Sequence, residues 1–143
     1  MPIANVLLVD DEVPFVETMT KRLNKRDLQV STAFSGAEAL EKLGKDSRVE
    51  VVILDVKMPG MDGIETLREI KRKHPLVEVV MLTGHATVET AIEGMRLGAF
   101  DYLMKPCDMD VLISKVGGAA SRKREQENKI VEARIKEITM RRA

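Results

Sequence analysis

The chain has 143 residues, 44% of them hydrophobic, and its formal net charge is zero. With no net charge, the chain lacks the overall electrostatic attraction for nucleic acid or for an anionic membrane. Aromatic residues make up only 3% of it and Trp is absent, which argues against a surface on which bases stack. The single Cys107 excludes an intramolecular disulfide and fits a reducing, cytoplasmic location. No apolar stretch is long enough to span a bilayer, so we predict no membrane contact.

Apolar runs alternate with amphipathic stretches along the chain. The predicted strands are Asn5–Val9, Gln29–Ala33, Val51–Leu54, Val79–Leu82 and Asp101–Met104. The first, third and fourth consist mainly of Val, Ile and Leu, as strands covered on both faces should. Helical stripes follow every predicted strand, formed by Phe15, Val16, Met19 and Leu23; Ala37, Leu40 and Leu43; Ile64, Leu67 and Ile70; Val88, Ala91, Ile92 and Met95; and Leu112, Val116 and Ala119. A βα unit repeated in this way predicts an α/β fold: a parallel sheet between helices, with right-handed crossovers.

The last part of the chain has a different composition. Residues 121–143 contain eight Lys or Arg against four Glu, a net charge of +4. No Pro or Gly interrupts the chain after Gly118, which predicts an extended C-terminal helix with a soft spot at Gly117-Gly118. We therefore divide the chain into a folded body, 1–120, and a basic helical extension, 121–143. The thin stripe of Val131, Ile135 and Ile138 leaves dimerisation, partner docking and a linker role open.

Acidic residues follow two of the predicted strands. Asp10-Asp11 come directly after the first strand, and Asp55 comes directly after the third. In a parallel sheet these positions share one edge, where oxygen ligands could converge on Mg2+. Thr83 and Lys105 follow the fourth and fifth strands, at the same edge. The pattern predicts phosphoryl chemistry, with Asp55 as nucleophile and the Lys105 ammonium and Thr83 hydroxyl contacting phosphoryl oxygens.

These motifs resemble the receiver domain of a bacterial two-component response regulator. The matching segments are the pair Asp10-Asp11, the segment LDVKMPGMDG around Asp55, MLTGHA with Thr83, and FDYLMKP with Tyr102 and Lys105. The resemblance covers about residues 3–116, and the later segments are similar to receivers of sigma-54-type activators and also fit a stand-alone receiver. It implies a flavodoxin-like (βα)5 fold with strand order 2-1-3-4-5 and a cis Lys105-Pro106 bond.

The resemblance also implies a role for each matching residue. Asp55 would accept a phosphoryl group from a histidine kinase or phosphotransfer protein, while Asp10, Asp11, Asp55 and the Lys57 carbonyl hold Mg2+. Thr83 and Tyr102 would relay the change to the face formed by the fourth helix, fifth strand and fifth helix, which could dimerise or bind a partner. Lys57, Gly84 and His85 would tune the phosphoryl lifetime. Such a chain is a regulatory switch that catalyses only its own phosphorylation and dephosphorylation, and we predict no direct nucleic-acid binding by it.

Other interpretations remain open at this point. A haloacid-dehalogenase-type enzyme also uses an Asp nucleophile and Mg2+, but that family wants a second Asp two residues later, where this chain has Lys57. A receiver-like scaffold that binds partners without phosphorylation is a further alternative. Taken singly, Thr83 could cap a helix, Tyr102 could be core, and Lys57 and His85 could be a solvated pair.

Overall fold

The computed structural model describes residues 3–142 and shows alternating strands and helices throughout. They are β1 (Ala4–Val9), α1 (Val13–Lys25), β2 (Leu28–Ala33), α2 (Gly36–Lys45), β3 (Val51–Leu54), α3 (Gly63–Lys73), β4 (Glu78–Thr83), α4 (Val88–Arg96), β5 (Asp101–Met104) and α5 (Met109–Arg142). The predicted alternation is confirmed, and the strand boundaries differ from the predicted ones by at most one residue. Thr83 is the last residue of β4 rather than the residue after it.

All five strands are parallel and form one sheet in the order β2-β1-β3-β4-β5, as the resemblance implied. β3 and β4 are buried along their whole length, which explains why their sequences show no polar alternation. Val9 pairs with Leu54, and Thr83 pairs with Met104. This register brings the carboxyl ends of the four site-bearing strands to one edge of the sheet.

Helices cover both faces of the sheet and enclose two hydrophobic cores. On one face, Val16 and Leu23 of α1 pack with Leu112 and Val116 of α5 against Leu8. The core on the other face lies beneath α2 and α3 and includes Leu7, Leu43, Leu67 and Ile70. Since neighbouring residues of β1 point into different cores, the sheet is held from both sides, as in a doubly wound fold.

Local capping explains where several helices begin. Asp62 accepts a hydrogen bond from the Glu65 N–H at 2.8 Å at the start of α3, and Ser35 accepts one from the Glu38 N–H at 3.1 Å before α2. Thr87 and Thr90 form a reciprocal capping box at the start of α4. α3 begins after the loop that follows Asp55, so its cap helps to fix one side of the site.

α5 is a single helix of 34 residues that continues through Gly117-Gly118. The predicted soft spot is therefore not a break, and Gly118 has a packing reason: a side chain there would press on the Phe100 ring. Arg124 anchors the helix by hydrogen bonds to both Glu50 carboxylate oxygens, at 2.7 and 2.9 Å, and to the Ile3 carbonyl at 2.8 Å. The stripe Val131, Ile135 and Ile138 is exposed.

Between residues 3 and 142, no helix combines the length and the apolar composition that crossing a bilayer requires. α5 is long enough, but charged residues occur throughout its second half.

Candidate functional site

Three carboxylates meet at the carboxyl edge of the sheet. One oxygen each from Asp10, Asp11 and Asp55 lies within 4.8 Å of the other two. Asp10 and Asp55 are only 1% and 2% exposed, whereas Asp11 is more open to solvent. The cluster that strand-end positions predicted is therefore formed. Three oxygen donors at this spacing, two of them buried, suit a hard divalent cation such as Mg2+.

Backbone hydrogen bonds hold the two buried carboxylates in place. The Asp10 Oδ1 atom accepts from the Glu12 N–H at 3.0 Å, and the Asp55 Oδ1 atom accepts from the Val56 N–H at 2.9 Å. The Asp55 N–H in turn donates to the Val9 carbonyl at 3.0 Å, which extends the β1–β3 pairing by one residue. The backbone thus places both side chains directly at the ends of their strands.

Lys105 reaches this cluster from the end of β5. Its Nζ atom lies 2.6 Å from Asp10 Oδ2 and 3.7 Å from Glu12 Oε1. The same ammonium lies 3.9 Å from the centre of the Phe15 ring. The Lys105-Pro106 peptide bond is cis, as predicted. Lys105 is therefore part of the site, although its pairing with Asp10 was not predicted.

The charge balance at Asp55 favours a cation. Burial raises the pKa of the Asp55 carboxyl above its ordinary value; the Thr83 hydroxyl opposes this shift, the Asp10 carboxylate adds to it, and the Lys105 ammonium opposes it. The net direction is upward, so Lys105 and Thr83 do not fully compensate the buried negative charge. A bound divalent cation would supply the missing positive charge.

The residues predicted to tune the site lie around its opening. Lys57 and His85 line one cleft together with Asp11, Glu12 and Met58. Both Lys57 and His85 are exposed, and the space around Gly84 is open. The structure thus brings Lys57 and His85 together beside an acidic residue of the cluster. Their effect on the chemistry stays a prediction.

Thr83 and Tyr102 make contacts that bear on the predicted relay. Thr83 is fully buried, and its hydroxyl oxygen accepts a hydrogen bond from the His85 N–H at 3.0 Å. The Tyr102 ring is half-buried beside Gly94, and its hydroxyl lies 2.7 Å from the Thr90 hydroxyl on α4. Tyr102 is therefore not simple core, since its polar end is bonded to α4.

Sequence reasoning missed Phe15, Glu12 and Thr90 as neighbours of the site. The sequence places Phe15 in the apolar stripe of the first helix and gives Glu12 no separate signal. The spacing of Thr87 and Thr90 is that of a capping pair, which was a usable signal for the cap. No sequence signal links Thr90 to Tyr102.

Comparison with known proteins identifies the family to which a chain with this site belongs. The family model of the response regulator receiver domain matches residues 6–117. The chain belongs to this family. Receiver domains are regulatory phosphoacceptor domains of two-component signal transduction, and phosphorylation and Mg2+ are typical of them.

Relatives and solved structures agree with this assignment. The DNA-binding transcriptional regulator NtrC of Escherichia coli (strain K12) is 37% identical over 122 residues, which cover 85% of this chain and 26% of the relative. A response regulator receiver domain protein from Clostridium thermocellum superimposes with a TM-score of 0.82 at 36% identity, covering 86% of this chain and 98% of that one. NtrX from Brucella abortus gives 0.79 at 33% identity, covering 92% and 30%.

This receiver domain spans less than a third of the length of the curated relatives it matches: 26% of NtrC and 29% of the transcriptional regulatory protein ZraR of Klebsiella oxytoca. Their DNA-binding or transcriptional roles belong to those whole proteins.

Proposed function

We propose that this receiver domain is a phosphorylation-controlled signalling switch in which Asp55 takes a phosphoryl group from the phosphohistidine of a histidine kinase or phosphotransfer protein. The observation that carries the proposal is the convergence of Asp10, Asp11 and Asp55 with the Lys105 ammonium at one sheet edge. A haloacid-dehalogenase-type enzyme fits less well, because an exposed Lys57 stands where its second Asp would be.

In the proposed step, a phosphoryl group is transferred from a nitrogen of the donor imidazole to an oxygen of Asp55. An Asp55 carboxylate oxygen attacks phosphorus and forms the O–P bond, while the P–N bond of the donor breaks and the imidazole leaves with the electron pair and takes up a proton. Mg2+, held by Asp10, Asp11, Asp55 and the Lys57 carbonyl, would neutralise charge on the phosphoryl oxygens. Lys105 would contact one phosphoryl oxygen and the Thr83 hydroxyl would donate to another.

Lys57, Gly84 and His85 would set the lifetime of the aspartyl phosphate by controlling how water reaches phosphorus. The shared cleft of Lys57, His85 and Asp11 supports this assignment. The half-life of phosphorylated protein would be compared for wild type, Lys57→Ala and His85→Ala, with an exposed lysine away from the cleft, Lys73→Ala, as control. Half-lives equal to that of the control would remove the tuning role.

The signal would leave the site through Thr83 and Tyr102. The Thr83 hydroxyl oxygen accepts from the His85 N–H, and its proton would be donated to a phosphoryl oxygen. Tyr102 would then exchange its bond to Thr90 for a more inward position, changing the face formed by α4, β5 and α5. That face exposes apolar side chains, namely Val88, Ile92, Met95 and Met104. Exposed apolar residues of this kind suit regulated dimerisation or partner binding.

Sedimentation with and without beryllium fluoride would test that output. We expect association on addition of beryllium fluoride and Mg2+, and Ile92→Lys should block it while leaving beryllofluoride binding intact. A monomer under both conditions would exclude dimerisation and leave partner binding as the output.

The basic extension, 121–143, is proposed as a helical element that carries the signal away from the body, in a cytoplasmic protein that does not itself contact nucleic acid.

Phosphorylation at Asp55 is tested with a small donor. Wild type, Asp55→Asn and the matched control Asp62→Asn would be incubated with acetyl phosphate and Mg2+, and their intact masses measured. We expect wild type and Asp62→Asn to gain one phosphoryl group, and Asp55→Asn to gain none. If wild type stays unmodified, or if Asp55→Asn is modified equally, the proposed switch function is wrong. A scaffold that binds partners without phosphorylation would then be the better interpretation.

A further inference from the structure

Phe15 contributes a non-ionic contact to the Lys105 ammonium. The Nζ atom lies 3.9 Å from the centre of the Phe15 ring, while its ionic partner Asp10 Oδ2 lies at 2.6 Å. Only 18% of the Lys105 side chain is exposed, so water screens both contacts weakly. The negative face of an aromatic ring attracts a cation at this distance, and the attraction grows as the pair is shielded from solvent.

The fold fixes Phe15 beneath this ammonium. Phe15 lies in the first turn of α1, directly after Pro14, and packs partly into the core on that side of the sheet. The other lining residues of the cavity that Phe15 shares with Lys105 include Leu82 and Met19. Because α1 follows the acidic pair after a short connection, the ring and the carboxylates that compete for Lys105 belong to one rigid segment.

Phosphorylation would affect Asp10 and Phe15, two of the groups around Lys105, in different ways. In the proposed function, Asp10 becomes a Mg2+ ligand and Lys105 must turn to a phosphoryl oxygen on Asp55. The ring keeps its charge distribution throughout this exchange, because it neither binds metal nor titrates. A cation held from one side by the ring can swing between two oxygen partners without being released to solvent.

We propose that Phe15 is a positioning residue for Lys105: its ring face holds the ammonium over the site while Lys105 transfers from Asp10 to the phosphoryl oxygen. This inference rests on the proposed function. Phe15 acts through Lys105 and touches no reacting atom. Replacing the ring should therefore weaken binding of the phosphoryl group, and the loss should not exceed the contribution that Lys105 itself makes to that binding.

The test measures beryllofluoride affinity by 19F NMR titration in the presence of Mg2+, which involves no kinase and so no docking contact. Phe15→Leu should weaken beryllofluoride binding about three- to tenfold. Phe15→Tyr, which keeps the ring face, should bind beryllofluoride with the affinity of wild type. Phe34→Leu, at an exposed Phe away from Lys105, is the matched control and should match wild type. Thermal melts confirm that each variant is folded, and Phe15→Met replaces Phe15→Leu if the latter unfolds.

A double-mutant cycle separates positioning from general packing. In a Lys105→Met background, Phe15→Leu should cause no further loss of beryllofluoride affinity. The ε-methylene protons of Lys105 should also lose their aromatic ring-current shift in Phe15→Leu and keep it in Phe15→Tyr. Equal affinity of wild type and Phe15→Leu, or losses that add in the cycle, would overturn the positioning role. A wild type that binds no beryllofluoride would instead overturn the proposed function.

Discussion

Lys105 and Asp10 are separated by 95 positions in the chain, yet the Lys105 Nζ atom lies 2.6 Å from the Asp10 Oδ2 atom. This ion pair occupies a carboxylate oxygen in the cluster that would hold Mg2+. An ammonium and a divalent cation at neighbouring positions repel each other, so the ion pair that neutralises Asp10 would also lower the affinity of the site for Mg2+.

Removal of the Lys105 charge should tighten Mg2+ binding. Lys105→Met removes the repulsion at Asp10, and we expect the dissociation constant of Mg2+ to fall about tenfold, measured by calorimetric titration at low ionic strength. The control is Lys115→Met, because Lys115 pairs with Asp101 at 2.8 Å outside the cluster. Weaker Mg2+ binding by Lys105→Met would show that Lys105 organises the carboxylates rather than competing with the metal.

Asp55→Asn should stabilise the metal-free protein. Burial is the main cause that raises the pKa of Asp55, so the folded state holds this proton more tightly than the unfolded chain does. Ionised Asp55 therefore lowers stability at neutral pH, and this loss disappears as pH falls through the raised pKa. We expect a melting temperature a few degrees higher for Asp55→Asn at pH 7, which corresponds to about 1 kcal/mol.

Two further conditions sharpen this test. The gap in melting temperature between Asp55→Asn and wild type should shrink as the solution is acidified toward about pH 4. Added Mg2+ should raise the melting temperature of wild type more than that of Asp55→Asn. Asp62→Asn keeps a capping side chain at α3 and should show neither effect. A gap that does not change with pH would exclude the Asp55 charge as its cause.

Gly63 should tolerate no side chain, whereas Gly44 should accept one. A Cβ atom at Gly63 would overlap the Asp55 carbonyl group and the Val56 Cα atom, while a Cβ at Gly44 meets no atom within 4 Å. Since Gly44 lies within α2, Gly44→Ala should raise the free energy of unfolding by about 0.5–1 kcal/mol. Gly63→Ala should lower it by about 2 kcal/mol or more and displace Asp55. Urea denaturation of both variants gives the comparison, and equal effects would refute the overlap at Gly63.

The Arg124–Glu50 anchor should stabilise the fold in a pH-dependent way. Burial alone would raise the pKa of Glu50, but hydrogen bonds from the Arg124 guanidinium and the Asn5 N–H bring it below its ordinary value. The stabilisation is therefore complete above the usual Glu pKa and is lost as pH falls through the lower, folded value. Half of the Arg124 side chain is exposed, so solvent screening limits the loss in Arg124→Ala to about 1 kcal/mol at pH 7.

Chemical denaturation at pH 7 and near pH 3 would measure this contribution. The control is Arg141→Ala, which removes an i,i+4 pair with Glu137 on the exposed surface of α5 and should change stability little at either pH. A loss in Arg124→Ala that is equally large at both pH values would assign it to packing of the arginine stem instead of to the ion pair.

Periodicity and strand-end positions predicted the sheet and the residues of its functional edge. Runs such as Val51–Leu54 specify buried parallel strands, and the residue that follows such a strand must lie at the carboxyl edge, so Asp55 and Asp10 could be placed without coordinates. The contacts of Lys105 with Phe15 and of Arg124 with Glu50 could not, because they depend on how long side chains orient across separate elements. The extended C-terminal helix through Gly117-Gly118 was predicted, but the packing reason for Gly118 was not, because its proximity to the Phe100 ring is a contact between separate elements.

The anchoring of α5 at Arg124 has a mechanical consequence. Beyond this residue the helix continues for about 27 Å, at about 1.5 Å per residue. A stiff rod fixed near its middle acts as a lever, and a tilt of about 10° at Arg124 moves the far end by about 5 Å. If α5 tilts about the ion pair with Glu50, a displacement too small to alter the core would move the end of the helix by several ångströms.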